Sequence, residues 1–136
     1  MKKYIVIKNE ISEISALTDF VEQIGEELEL KSSLVMSLNL VLEEAVSNII
    51  LYAFPQKMGE LITIMAEKTD NMLIFIITDK GVEFDPTEVL EADITLSAEE
   101  RPIGGLGIYL IKKIMNEVEY QRIDGNNIFT LKKILN

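Results

Sequence analysis

Leu42-Glu43-Glu44-Ala45-Val46-Ser47-Asn48-Ile49-Ile50 is the stretch on which the fold turns. It lies inside a run from Leu34 to Tyr52 that is apolar on more than one side. Leu34, Leu38, Val41, Ala45, Ile49 and Tyr52 form one stripe at helical spacing, while Leu40, Val46 and Ile50 fall outside it. A helix of that composition is contacted from several directions, so it belongs at the centre of a domain. Lys31-Ser32-Ser33 opens it, with either serine available as a cap, and Phe54-Pro55 closes it near Ala53. Glu44 and Asn48 are four residues apart and project side by side from the edge of the main stripe, whereas Glu43 falls roughly opposite it. A carboxylate and a carboxamide so placed can hold a proton acceptor next to a Mg²⁺ ligand. The plain alternative is a polar pair on a helix flank.

Working outward, Tyr4 to Ile7 reads as a short strand. Ile11 to Leu28 reads as a helix whose apolar face is Ile14, Leu17, Phe20, Val21, Ile24 and Leu28. Beyond the central helix, Glu60 to Lys68 alternates as a strand, Asp70-Asn71 is a tight turn, and Met72 to Thr78 is the paired strand. Residues 82–103 are polar and irregular, with a short helix expected near Pro86 to Glu91; a loop this long in a compact domain is commonly a lid. Gly107 to Asn116 is helical. Val118 to Ile123 and Ile128 to Ile134 are strands joined by a turn at Asp124-Gly125-Asn126-Asn127. The order β, α, α, β, β, loop, α, β, β predicts an α/β two-layer sandwich, a mixed and mostly antiparallel sheet with the helices on one face, as a single domain over residues 1–136.

Composition removes whole classes of function. The net charge of −10 is spread along the chain and disfavours both nucleic acid and anionic membrane surfaces as partners. There is no Cys and no His, so thiol and histidine dyads, disulfides and the usual zinc ligand sets are absent. A general base must be Asp, Glu, Lys or Tyr, and a divalent metal must sit among oxygen ligands, which favours Mg²⁺, Ca²⁺ or Mn²⁺. The apolar run after Lys2-Lys3 is too short for a signal-peptide core, no membrane span is expected, and the cytoplasm is the expected location.

Two further segments carry candidate chemistry. Met72 to Thr78 ends in Asp79-Lys80-Gly81. An Asp at the tip of a buried strand can accept a hydrogen bond from an exocyclic amine such as that of adenine, and Gly81 would let the backbone approach the ring. Ile103-Gly104-Gly105-Leu106-Gly107 places three glycines just before a helix, where backbone N–H groups can meet phosphates; a hinge or a helix cap is the plain alternative. Arg101 and Lys80 are the nearest cations to these loops. Neither a Walker-type P-loop nor a dinucleotide Gly-x-Gly-x-x-Gly is present.

Leu42 to Asn48, Asp79-Lys80-Gly81 and Gly104-Gly105-Leu106-Gly107-Ile108-Tyr109-Leu110-Ile111 together resemble, in order and spacing, the motifs of the GHKL ATPase superfamily. The short form is similar to its anti-sigma-factor and serine-protein kinase branch, over nearly the whole chain. The resemblance implies the Bergerat ATP-binding fold with ATP and Mg²⁺ as cofactors. It makes Asn48 the Mg²⁺ ligand, Glu44 the general base acting on a protein hydroxyl, and Asp79 the holder of the adenine amine. Gly81, Arg101, Ile103, Gly104, Gly105, Leu106, Gly107 and Thr130 become nucleotide contacts. It also implies phosphorylation of Ser or Thr on a small antagonist protein, sequestration of a sigma factor, and a homodimer. The chain departs from the pattern in three places. Glu83 replaces the second glycine after the Asp, Gly125-Asn126-Asn127 replaces a Gly-Thr-type element that Thr130 matches in part, and Ile14 to Phe20 carries no basic residue. Two other readings stay open: an ATP-binding partner-switch module without phosphoryl transfer, and a non-catalytic interaction domain with a degraded pocket.

Overall fold

The computed structural model describes residues 1–54, 59–88 and 105–135. Among the described residues five strands form, with side chains alternating between the two faces: β1 (Lys2–Lys8), β2 (Leu61–Thr69), β3 (Met72–Asp79), β4 (Glu117–Ile123) and β5 (Asn126–Ile134). They form one sheet in the order β1-β2-β3-β5-β4. All four pairings are antiparallel, so the sheet is antiparallel throughout rather than mixed. Among the described residues three helices, α1 (Ser15–Glu27), α2 (Ser32–Tyr52) and α3 (Gly105–Ile114), make the second layer, and α2 packs against both of the others.

The core lies between the layers. Ile62, Ile64, Leu73, Phe75, Ile77, Phe129 and Leu131 point from the sheet toward Leu17, Val21 and Ile24 of α1, Leu38, Leu42 and Val46 of α2, and Ile108 and Ile111 of α3; all are fully buried or nearly so. Gly25 lets α1 close on α2, because a Cβ there would stand 2.6 Å from Val35 Cγ2.

Several local expectations shift. The region from Ile11 begins as a 3-10 turn, Ile11–Glu13, before α1. The N-cap of α2 is Lys31, and no serine side chain caps it. The short helix near Pro86 is a 3-10 turn, Pro86–Glu88, among the described residues. By length and hydropathy α2 also meets the criterion for a membrane span, contrary to the expectation that no segment would. Its apolarity has a local cause: Leu38, Val41, Leu42, Ala45, Val46 and Ile49 are buried on several sides by the sheet and the flanking helices, which is what a central helix requires. The turn between β4 and β5 is two residues long. Asp124 (φ 50°) and Gly125 (φ 80°) make it, and Asn126 and Asn127 belong to β5.

Candidate functional site

The helical spacing of α2 puts Glu44, Asn48 and Tyr52 on successive turns of one side. Asn48 is buried and Glu44 half-buried. The first turn of α3 closes directly on this pair. A Cβ at Gly107 would stand 2.7 Å from Glu44 Oε2 and 3.4 Å from Asn48 Nδ2. The absence of a side chain at Gly107 therefore lets the backbone of α3's first turn, with N–H groups that lack intrahelical partners, lie against the carboxylate and the carboxamide. Glu43, expected to face solvent, is half-buried, and its Oε1 accepts from Asn39 Nδ2 at 3.2 Å.

The end of β3 lies beneath the end of α2. A Cβ on Gly81 would stand 2.5 Å from the carbonyl oxygen of Ala53, and the Val82 N–H donates to that same oxygen at 2.9 Å. Gly81 is thus required by the close approach of two backbones within this chain. Asn48 lies five residues before Ala53, about 7.5 Å along the helix, which puts it at the same end of the molecule as Asp79.

Asp79 is 2% exposed. Its Oδ1 accepts from the Gly81 N–H at 2.8 Å and from Asn127 Nδ2 at 2.9 Å. Its Oδ2 is buried without a partner among the described residues. Burial pushes its carboxyl above the ordinary 3.8, while the Asn127 amide, the Gly81 N–H and the Arg122 guanidinium pull in the other direction. An orphaned, solvent-excluded acceptor is costly, so this oxygen is suited to a donor brought by a ligand.

Asp79 belongs to a polar row that crosses the helix-facing side of the sheet. Asp79 on β3 pairs with Asn127 on β5, which pairs with Arg122 on β4. Asn127 Nδ2 also donates to the Val82 carbonyl at 2.8 Å. Asn127 Oδ1 accepts from Arg122 Nη1 at 3.0 Å, from the Phe84 N–H at 3.3 Å and from the Tyr120 hydroxyl. Arg122 Nη1 donates in addition to the Gly81 carbonyl at 2.8 Å. Sequence alone puts Asn127 in a turn and gives Tyr120 and Arg122 no role. The usable signal is the alternation of β4 and β5, which places 120 and 122 on the same face as 127.

Other expected contacts fall elsewhere. Thr130 pairs with Ile76, so its side chain lies on the open face of the sheet, opposite to Asp79. Strand alternation therefore removes it from the group around Asp79, a correction to the expectation from sequence. Lys80 and Glu83 are exposed, so Glu83 does not enter the buried row. Gly105 and Leu106 open α3. Arg101, Ile103, Gly104 and most of the expected lid lie outside the described residues. Phe84 stacks on Tyr52 with ring centroids 5.3 Å apart, which ties the segment after β3 to the last turn of α2.

Comparison with known proteins gives the family and the fold. Residues 7–133 match the model of the histidine kinase-like ATPase domain family. The chain is 33% identical over 95 residues to the serine/threonine-protein kinase BtrW of Bordetella bronchiseptica, covering 70% of this chain and 67% of that one. It is 30% identical over 104 residues to the serine-protein kinase RsbW of Bacillus cereus, covering 74% and 64%. The match thus spans about two thirds of the length of these curated relatives. Among solved structures, the SiaB-SiaC complex of Pseudomonas aeruginosa superposes with a TM-score of 0.61 at 16% identity, over 96% of this chain and 89% of that one. The histidine kinase domain of the Erythrobacter litoralis EL346 blue-light activated kinase gives 0.56 at 13% identity, over 88% and 61%. At those identities the structural likeness speaks for the fold.

Proposed function

The chain belongs to the histidine kinase-like ATPase domain family, and from that premise we propose that it is an ATP- and Mg²⁺-dependent regulatory serine/threonine-protein kinase that phosphorylates a small antagonist protein. The observation that carries this reading is the closure of Gly107 on Glu44 and Asn48, which unites three positions the family's chemistry needs. The names of the relatives, both serine or serine/threonine kinases, favour transfer over a silent binding module. The SiaB-SiaC structure, a complex of two proteins, is consistent with a protein partner for this chain.

The residues present fit the implied ligands. The buried Asp79 Oδ2 suits the exocyclic amine of adenine. The N–H groups of α3's first turn, which lack intrahelical partners, suit a phosphate at the start of that helix, near Asn48. Asn48 offers a neutral oxygen ligand, and a magnesium ion commonly takes only one or two ligands from protein. When bound, the ion neutralises phosphate charge. Glu44, one turn from Asn48, takes the proton of the incoming Ser or Thr hydroxyl while its oxygen bonds to the γ-phosphorus and ADP departs. The half-burial of Glu44 keeps the carboxylate within reach of an incoming chain and partly screened from water.

The expected setting is the cytoplasm. A sigma factor as second partner and a homodimer complete the proposal. The test begins with capture of partners in the presence of Mg-ATP and continues with γ-labelled ATP. Wild type transfers label to a Ser or Thr of the captured partner, and Glu44→Ala slows transfer by about 10²-fold or more while retaining ATP binding. Equal rates for the two proteins remove Glu44 from the chemistry.

A further inference from the structure

Asn127 is 4% exposed and its carboxamide is saturated. Both N–H bonds are used, on Asp79 Oδ1 and the Val82 carbonyl, and the oxygen accepts from three donors: Arg122 Nη1, the Phe84 N–H and the Tyr120 hydroxyl. A flip of the amide would face the NH₂ toward three donors and the oxygen toward two acceptors, so one orientation is enforced. That orientation determines what Asp79 can offer. Its Oδ1 is committed to Asn127 and to the Gly81 N–H, and only Oδ2 remains. The donors around Asp79 favour the ionised carboxylate, which accepts hydrogen bonds and cannot donate one.

We propose that Asn127 is the residue that sets base specificity in the nucleotide pocket, by holding Asp79 as an obligate acceptor so that the pocket takes a purine triphosphate with an amino group at position six and rejects one with an oxo group there. This rests on the nucleotide reading given above and deepens it. Asn127 acts through Asp79 and is a positioning residue. A six-oxo purine would set its carbonyl oxygen against a buried carboxylate oxygen, leaving both without a donor, and sites built around one buried hydrogen bond discriminate strongly against ligands that cannot complete it.

Substitution at 127 separates this role from a merely structural one. Asn127→Asp would place two carboxylates in hydrogen-bond contact, and such pairs share a proton. The added negative charge makes Asp79 take up a proton more readily, and a proton on Oδ2, the oxygen left free, makes a six-oxo base acceptable. Asn127→Ala frees the Asp79 side chain to rotate and rehydrate.

Calorimetric titration with Mg-ATP and Mg-ITP reads the result. Wild type is expected to prefer ATP by about 10²-fold. In Asn127→Asp the preference is expected to fall to about tenfold or less, increasingly so at lower pH as the shared proton is retained, and in Asn127→Ala it falls at all pH values. Should the variants at 127 fail to fold, Arg122→Gln, which removes one donor that fixes the amide, gives the same reading with a smaller loss of preference. ATP and ITP weakening in parallel, with the ratio unchanged, would overturn the inference and leave the nucleotide site standing. A wild type that binds neither would overturn both.

Discussion

Asp79 is a buried carboxylate held in place at a cost to the fold. Its carboxyl titrates above 3.8 because burial outweighs the hydrogen bonds from Asn127 and Gly81 and the nearby Arg122 charge. The sign of the pH effect follows. Between 3.8 and the raised value the unfolded chain has released this proton and the folded chain keeps it, so the contribution of Asp79 to stability falls as pH rises through that window and stays low above it. Asp79→Asn lacks the titration. Chemical denaturation at stepped pH is expected to show the stability of wild type relative to Asp79→Asn declining from about pH 3 toward neutrality. A difference that stays flat, or that grows in favour of wild type, would show that the carboxylate is not desolvated. The same substitution puts an amino group where Oδ2 stood, and ATP affinity is expected to drop by about 10²-fold. Oδ2 has no partner among the described residues, and the proposed nucleotide would supply its donor.

Where two elements meet, glycine decides how closely, and the two informative glycines predict opposite outcomes. At Gly81 a Cβ meets the backbone of Ala53, which cannot swing away, so Gly81→Ala must separate β3 from α2 and is expected to cost about 1–3 kcal/mol in a urea melt. At Gly107 a Cβ meets the far end of Glu44, which can swing away. Gly107→Ala is expected to leave stability equal or raise it by up to about 1 kcal/mol, since Ala is the better helix former. It moves the proposed base, however, and a displacement on this scale is expected to slow transfer by about 10-fold to 10²-fold. Loss of stability at 107 with full activity would mean that Glu44 is not held by α3. The elements themselves are largely legible in the sequence: α2 through its unbroken apolar spacing, β2 through alternation, β3 as its apolar partner across the Asp70-Asn71 turn, and α3 through the glycines before it. The start of β5 is not, because two asparagines after a glycine satisfy turn chemistry as well as strand pairing does. Only the pairing of β5 with β3, a contact distant in sequence, decides between them. Thr130 follows from the same placement: once Asn127 belongs to β5, alternation puts position 130 on the opposite face. Glu44, Asn48 and Gly107 needed no such information, because helical spacing and a glycine at a helix start are local signals.

Across the whole molecule the helices cover one side of the sheet, and no described element covers the other. That open face carries Tyr4 (72% exposed), Val6 (51%) and Leu61 (57%), along with Met65, Ile74, Ile76 and Ile128. Five strands about 4.8 Å apart and about seven residues long give a face near 24 Å by 23 Å, about 550 Å² in projection, at the small end for a protein–protein contact. Its charges fit a second copy of itself. One row across the face, read through the strand registers, is Lys2, Glu67, Ile74, Lys132, Glu117. A two-fold axis running along the central strand β3, between two facing sheets, brings Lys2 over Glu117, Glu67 over Lys132, and Ile74 over Ile74, so every charge of that row meets its opposite, and Glu119 of the next row lies over Tyr4. The alternative axis, across the strands, stacks β1 on β1 and gathers the lysines of that edge. The self-complementary row supports the proposed homodimer with β1 of one copy above β4 of the other, the helices and nucleotide sites facing outward. Sedimentation velocity at tens of micromolar is expected to show a dimer for wild type. Ile76, in the next row and also on β3, would lie near the axis against its own copy. Ile76→Lys then brings two ammonium groups together in an apolar contact, and a monomer that still binds ATP is the expected result. A wild-type monomer, or an Ile76→Lys dimer of undiminished affinity, would assign this face to something other than a second copy.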